Sequence, residues 1–405
     1  MKGINYLRDK LKTKKTRVNE RYKFYEMKNR ARDLGISTPP ALQNLKSSLG
    51  WCAKSVDSIA DRLQFREFRN DDFGINEIFL LNNPDIIFDS AILGALISSC
   101  DFIYIRQGED GQPKLHVIDG SHATGIIDPV TGLLKEGYAV LETDEYDHPI
   151  TEAYFIPYET QIYRRGEQNV EVFRHSVAYP LLVPIIYRPD AKRPFGHSRI
   201  SRASMDLVSS ALRTIKRSEI AAEFYSVPQK YINGLADDVE FDKWSAAMSA
   251  ILTVYSDEEG NKPEIGQFEQ QSMEPHTSQL KMFASMFAGE NGLTLDDMGF
   301  QTGNPASAEA IKASHDQLRL TARKAQKTFG SGFLNTGYLA TCLRDNKDYN
   351  RNEFCRVQPV WEPLFEPDSA MLASIGDGII KLNQAVPGYV TNDTVRDLTG
   401  IKGGN

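Results

Sequence analysis

The chain opens on a helical pattern from about Ile4 to Arg32, in which Leu11, Val18, Tyr22 and Tyr25 recur at helical spacing. A second runs from about Ala41 to Leu63, set off by Thr38-Pro39-Pro40. In GWCAKSVDSIADRL the residues Trp51, Val56, Ile59 and Leu63 share one face, which predicts packing into a core. From Phe102 to Arg188 the period changes. FIYIRQ, KLHVID, EGYAVLET, EAYFIPYETQIYRRG and VEVFRHS are short Val-, Ile-, Tyr- and Phe-rich runs divided by turns such as EDGQP and DPVTG, the spacing of an antiparallel meander. Helix returns over Ser198 to Ser226, 29 residues that extend roughly 44 Å at 1.5 Å per residue. After Pro228, QKYING predicts a short strand and turn. A helix over Asp237 to Ile251, strand-like LTVYS and the helix SQLKMFASMF follow.

The loop GENGLTLDDMGFQTGNPA leads into a long helix over about 305–334. Ile311, Leu318 and Ala325 repeat every seven residues, with Ala322 and Phe329 between them, while Lys312, Arg319, Arg323, Lys324 and Lys327 form a charged side. Asn304 suits the cap and Pro305 the first turn. Two small helices, around DSAMLASIGDGIIKLNQA and NDTVRDLTGI, close the chain. The average helix has eleven or twelve residues. Two long helices, 198–226 and about 305–334, bracketing a segment that leaves and returns, suit subunits stacked against copies of themselves or a large bundle with private cores.

Charge sharpens this picture. The net charge of −7 argues against a protein whose main task is gripping phosphates. Residues 1–33, however, hold twelve Lys or Arg against four Asp or Glu, which leaves about −15 for the rest. That basic head reads either as a solvated helix face or as an arm touching nucleic acid or an acidic partner. Cys52, Cys100, Cys342 and Cys355 form no CxxC pair and read as reduced, structural thiols. The start MKGINYLRDKLKTKK lacks the apolar stretch of a secretory signal, and Ala91 to Cys100 is about half of a bilayer span, so no membrane segment is expected.

Catalytic motifs are scarce. There is no GxxxxGK[ST] and no GxGxxG between strand and helix. DGSHATG brings Asp119, Ser121 and His122 close in sequence without the GxSxG spacing. The run reads as a turn between strands, and Ser121 and His122, which would point to opposite faces of a strand, are not expected to pair directly. The seven histidines include no HxH or HxxxH, and Glu142 with Asp144, and Asp296 with Asp297, read as turn carboxylates. No enzyme, metal or cofactor is expected.

Five segments, in register over nearly the whole chain, resemble the portal proteins of tailed double-stranded DNA bacteriophages. They are WCAKSVDSIADRL, DSAILGALISSCDFIYIRQGEDGQPKLHVIDGSHATGIID, FGHSRISRASMDLVSSALRTIKRSEIAAEFYSVPQKYING, GLTLDDMGFQTGNPASAEAIKAS and VQPVWEPLFEPDSAMLASIGDGIIKL. The resemblance implies an α+β, portal-type elongated subunit. Its wing would be 1–194, with a stem helix over 195–226, a small clip over 227–275, and a second stem helix over 276–292. A tunnel loop over 293–304 would follow, then the long helix and return to the wing over 305–360. A short helical crown over 361–405 would end the chain where many relatives continue.

It further implies a homo-oligomeric ring, usually of twelve subunits, at one capsid vertex of the virion, assembled in the host cytoplasm. Double-stranded DNA would pass through the channel. The terminase packaging ATPase, a head–tail adaptor, and the major capsid and scaffolding proteins would be its partners, with no membrane involved. Thr294, Asp296, Asp297, Met298, Phe300 and Gln301 would form the loop facing DNA. Gln229, Lys230, Tyr231 and Ile232 would offer a strand to a neighbouring subunit. Arg213, Lys216 and Arg217 would make inter-subunit ion pairs or a basic belt. The rival expectations are a head-to-tail adaptor or other structural ring protein, and an enzyme with a site near Ser121 and His122.

Overall fold

The computed structural model describes residues 1–30, 46–226, 230–233, 264–267, 272–300, 313–365 and 369–401. Helix α1 (Ile4–Tyr25) buries Leu11 and Val18 of the predicted stripe together with Leu7 and Phe24, and leaves Tyr22 and Tyr25 half-buried. Helix α2 (Trp51–Ala60) buries Trp51, Cys52, Val56 and Ile59. Strand β1 (Phe65–Arg69), α3 (Ile75–Leu80) and α4 (Pro84–Ser98) follow. From Ala91 to Ser98, α4 is buried on nearly every side, matching its apolar composition there, whereas Asp85, Ile86 and Asp89 in its first turns are exposed.

The strand-rich region is antiparallel throughout, but it forms two sheets rather than one meander. Strands β2 (Cys100–Gln107) and β3 (Pro113–Ile118) make a hairpin, and β9 (Leu182–Ile186) returns to the other side of β2, giving the order β3-β2-β9. The second sheet is a true meander of β4 (Ala123–Ile127), β5 (Leu134–Thr143), β6 (Pro149–Ile156), β7 (Glu159–Arg164) and β8 (Glu171–Arg174). The reason for the split is burial. Phe102, Ile103 and Ile105 of β2 and Leu182, Val183 and Ile185 of β9 are core residues, so these distant runs pair with each other.

Helix α5 (Arg202–Ser226) begins where the Ser201 hydroxyl accepts from the Ser204 amide at 3.1 Å. Strands β10 (Lys230–Asn233) and β11 (Glu264–Gln267) form a separate antiparallel ribbon, and α6 (Glu274–Asn291) returns against α5. The expected helix at Asp237 to Ile251 and strand LTVYS lie outside the described residues, as do Asn304, Pro305 and Ile311.

The long late helix differs from expectation at its end. α7 (Asp316–Arg344) runs well beyond 334 and buries Leu318, Ala322, Ala325 and Phe329, then almost every residue from Phe333 to Leu343. Gly330 and Gly332 read as helix breakers in sequence but serve as contact points. A side-chain carbon on Gly330 would stand 2.7 Å from Pro359, and one on Gly332 would stand 2.9 Å from Ile185. Beyond a 3₁₀ turn over Arg351–Arg356, β12 (Gln358–Trp361) pairs with β1. The rings of Phe65, Phe88, Phe333 and Trp361 meet across that junction, mostly edge to face. Helices α8 (Ser369–Ala385) and α9 (Asn392–Thr399) pack on each other, and Asp397 of α9 accepts both Arg69 guanidinium nitrogens of β1, at 2.7 and 2.9 Å.

Candidate functional site

The α5–α6 pair is locked at its base. Arg199, 7% exposed, donates its Nε to the Ser55 carbonyl of α2 at 3.1 Å and an Nη2 to the Asn291 carbonyl of α6. The Asn291 amide donates to the Ser204 hydroxyl at 3.1 Å, and Ser201 donates to Glu290 at 3.0 Å. Further along, Thr214 of α5 donates to Gln279 of α6 at 3.0 Å. A buried guanidinium costs free energy unless its donors are used. Arg199 uses its donors to join three helices, so the hairpin springs from a fixed foundation.

The segment after α6 is equally anchored. The Leu293 amide donates to the Ala288 carbonyl at 2.9 Å, and Gly292 supplies the left-handed conformation that ends the helix. Thr294 donates through its amide and hydroxyl to Asp297 Oδ2, at 2.9 and 2.8 Å. His315, capping α7, places Nε2 3.3 Å from the same oxygen. Despite partial burial, these hydrogen bonds and His315 hold the Asp297 carboxyl below the usual carboxylate range.

The predicted loop residues therefore divide. Met298 is buried with Leu293, and Leu295 and Phe300 pack against the same core, whereas Asp296 and Gly299 are exposed. Met298 thus stands in the core and not on a loop surface, because the Thr294–Asp297 turn folds it inward. Gln301 lies outside the described residues. Sequence pattern alone gave no sign of this capped turn, although Thr-x-x-Asp is a local hydrogen-bonding signature.

On α5, Arg213 donates to Ser210 at 2.9 Å within its own helix, Lys216 is half-buried, and Arg217 is exposed. Of the clip residues, Gln229 lies outside the described residues. Lys230, Tyr231 and Ile232 pair within the chain, to Gln267, Gly266 and Ile265. Among the described residues this ribbon is two-stranded, so each strand keeps one unpaired edge.

The basic N-terminal helix does more than present a solvated face, and at Ser121 one expectation fails. α1 is not merely solvated. Lys10 and Lys14 donate to the Gly125 and Ala123 carbonyls at 2.6 and 3.1 Å, and Arg21 donates to the Ser98 carbonyl at 2.8 Å. Arg8 and Lys15 pair with Glu152 and Asp147, each at 2.5 Å. The helix is strapped to β4, β6 and the end of α4. Ser121 and His122 do pair directly, with Oγ 2.9 Å from Nδ1, because residues 120–122 form a turn and not a strand. His122 Nε2 in turn lies 3.1 Å from Asp147 Oδ1.

The resulting chain of Ser121, His122 and Asp147 has the order of a catalytic triad, but Ser121 is 4% exposed. Tyr22 of α1 donates to Asp119 at 2.5 Å, and Lys15 holds Asp147. The cluster is a latch between α1 and the β3–β4 turn. Among the described residues, no His, Cys, Asp and Glu group has metal-site geometry, and no helix is long and apolar enough to cross a membrane.

No protein-family model matches the chain. The chain is 25% identical over 399 residues to the portal protein of Mycobacterium phage D29, covering 93% of this chain and 81% of that protein. It is 23% identical over 395 residues to the portal protein of Mycobacterium phage L5, covering 92% and 80%. Among solved structures, it is similar to a chain in the neck of a native GTA particle computed with C12 symmetry. That chain is 14% identical, with a TM-score of 0.48, and 87% of this chain and 90% of that one are covered.

Proposed function

We propose that the chain is a portal protein, like the two bacteriophage portal proteins it is similar to, and that it forms a closed homo-oligomeric ring at one capsid vertex, through which double-stranded DNA is packaged and later ejected. The observation that carries the reading is that the likeness to two portal proteins runs over more than nine-tenths of the chain. The geometry is consistent with it: a helix leaves the body, a small β ribbon follows, and a second helix returns to a foundation fixed by Arg199. In this reading 1–194 is the wing, 195–226 and 276–292 the stem, 227–275 the clip, 293–304 the tunnel loop, 305–360 the return to the wing and 361–405 the crown. The ring, of about twelve subunits, docks the packaging ATPase and then the head–tail adaptor, and sits among capsid and scaffolding proteins in the virion.

Negative-stain microscopy of the purified protein tests the ring. Annular particles with a central hole are expected, and a compact monomer at all concentrations removes the reading. The open edge of β10 is proposed to add to a ribbon of the next subunit. Ile232→Pro, which removes a ladder donor, should then lower the yield of rings, and full assembly by that variant defeats the strand-addition idea alone. The α5 cations Arg213, Lys216 and Arg217 are proposed to face a neighbouring stem or the channel. Arg217→Glu separates the two, since it weakens rings in the first case and alters DNA passage through intact rings in the second.

A further inference from the structure

Between α1 and the segment leading into α5 lies a cavity of about 840 Å³. Lys10, Lys14, Arg17 and Arg21 line one wall, and Arg193 and Arg202 the other; Asp9 and Glu20 are the only carboxylates among the described lining residues. Arg17 and Arg202 make no hydrogen bond or ion pair among the described residues. Burial, and then the charges of Arg17, Arg193 and Arg202, push the Arg21 guanidinium down to about 10. Such a cluster is assembled against its own repulsion, which a fold tolerates where an anion completes it. Pro194, Phe195 and Met205 also line the cavity, so its occupant has an apolar part as well as negative charge.

The same subunit carries a complement. Ser98 and Ser99, at the C-terminal end of α4, floor the cavity. At the other end of α4 stand Asp85 and Asp89, near Asp61 at the end of α2. Burial and then the charges of Asp85 and Asp61 raise the Asp89 carboxyl. The step from Asp85 to Ser98 is about 20 Å along the helix. Asp85, Asp89 and Asp61 make no ion pair among the described residues, and Leu80, Leu81 and Ile86 next to them are 72%, 60% and 63% exposed. The helix dipole of α4 favours both placements, carboxylates at its N-terminus and cations at its C-terminus. One flank is cationic with an apolar lining, and the other is anionic with exposed apolar side chains.

We propose that the acidic end of α4 in one copy, with its leucine and isoleucine side chains, seats in the basic cavity of the next copy. The contact rests on the ring reading and deepens it. A two-fold contact through this surface would set cation against cation, so the pairing is head-to-tail, the kind that closes a ring when the rotation allows. Duplex DNA fits less well, because Lys10 and Lys14 already donate to backbone carbonyls and the cavity wall is partly apolar.

A charge swap in the full-length chain decides this. Arg17→Glu with Arg202→Glu, and separately Asp85→Lys with Asp89→Lys, should each cut the ring fraction about tenfold or more at moderate salt, with the subunit still folded by circular dichroism. Combining all four should restore rings. If the four-fold variant assembles no better than either pair, or either pair assembles like wild type, the contact is overturned while the ring stands. Intact rings from the arginine pair that have lost binding to a fluorescent DNA duplex would make the cavity a nucleic-acid site and overturn it equally. Wild-type protein that never forms rings removes the ring reading itself, and this contact with it.

Discussion

At the scale of single residues, His175 is placed where a charge is unwelcome. Both ring nitrogens are buried with no side-chain hydrogen-bond partner among the described residues, and burial pushes its pKa down to about 4. Because the folded value lies below the unfolded value of about 6.5, the unfolded chain takes up a proton first on acidification. Stability from this group is therefore full above about pH 6.5 and falls as the pH drops toward 4. His122 has the opposite sign. The neighbouring Asp119 carboxylate, and Asp147, which accepts from its Nε2, raise its pKa, so its contribution is present below about 6.5 and is lost as the pH rises through the raised value. Urea midpoints at pH 7 and pH 5 should differ less for His175→Phe than for wild type. An unchanged pH dependence would mean that His175 is not a source of acid lability. Nothing in the sequence marks this histidine, since VEVFRHS reads as an ordinary strand end.

At the scale of elements, α7 shows which patterns are legible and which are not. Its apolar stripe at Leu318, Ala322, Ala325 and Phe329 is visible as a heptad, and all four are buried. Its second half is invisible for a physical reason. Gly330, Gly332 and Gly337 lower intrinsic helix propensity, yet tertiary packing requires them small. A side-chain carbon on Gly337 would lie 2.4 Å from the Ile75 side chain of α3. Gly337→Val should thus destabilise the subunit by about 1–3 kcal/mol, read as a lower denaturation midpoint. A midpoint equal to wild type would show that α3 yields without cost. The same logic explains the sheets. The β4–β8 meander is local and readable from period-2 runs and turns, whereas β9 joins β2 across a long intervening stretch that no local pattern encodes. Ser121 and His122 sit in the turn that DGSHATG predicts, and that turn brings together two side chains that a strand would point apart.

At the scale of the whole molecule, the proposed division into wing, stem, clip and crown rests on resemblance alone, because a ring is a property of many copies and leaves no motif in one. The structure does sort the proposed loop into parts with different work. Met298 is core, Thr294 and Asp297 form an anchor shared with His315, and Asp296 is exposed. If the exposed part faces translocating DNA, adding a cation there introduces a phosphate contact that must break as DNA moves, with a salt dependence set by counterion release. Asp296→Lys should then leave ring assembly unchanged and slow packaging or ejection, most at low salt. Met298→Ala should act otherwise, lowering subunit stability by about 2–5 kcal/mol, as large-to-small changes in cores do, with no salt signature in DNA passage. Packaged DNA length and ejection rate, measured at two salt concentrations for both variants, separate these effects. If Asp296→Lys rings package and release DNA like wild type at both salts, the exposed part of the loop does not touch DNA, and the proposed tunnel-loop role falls.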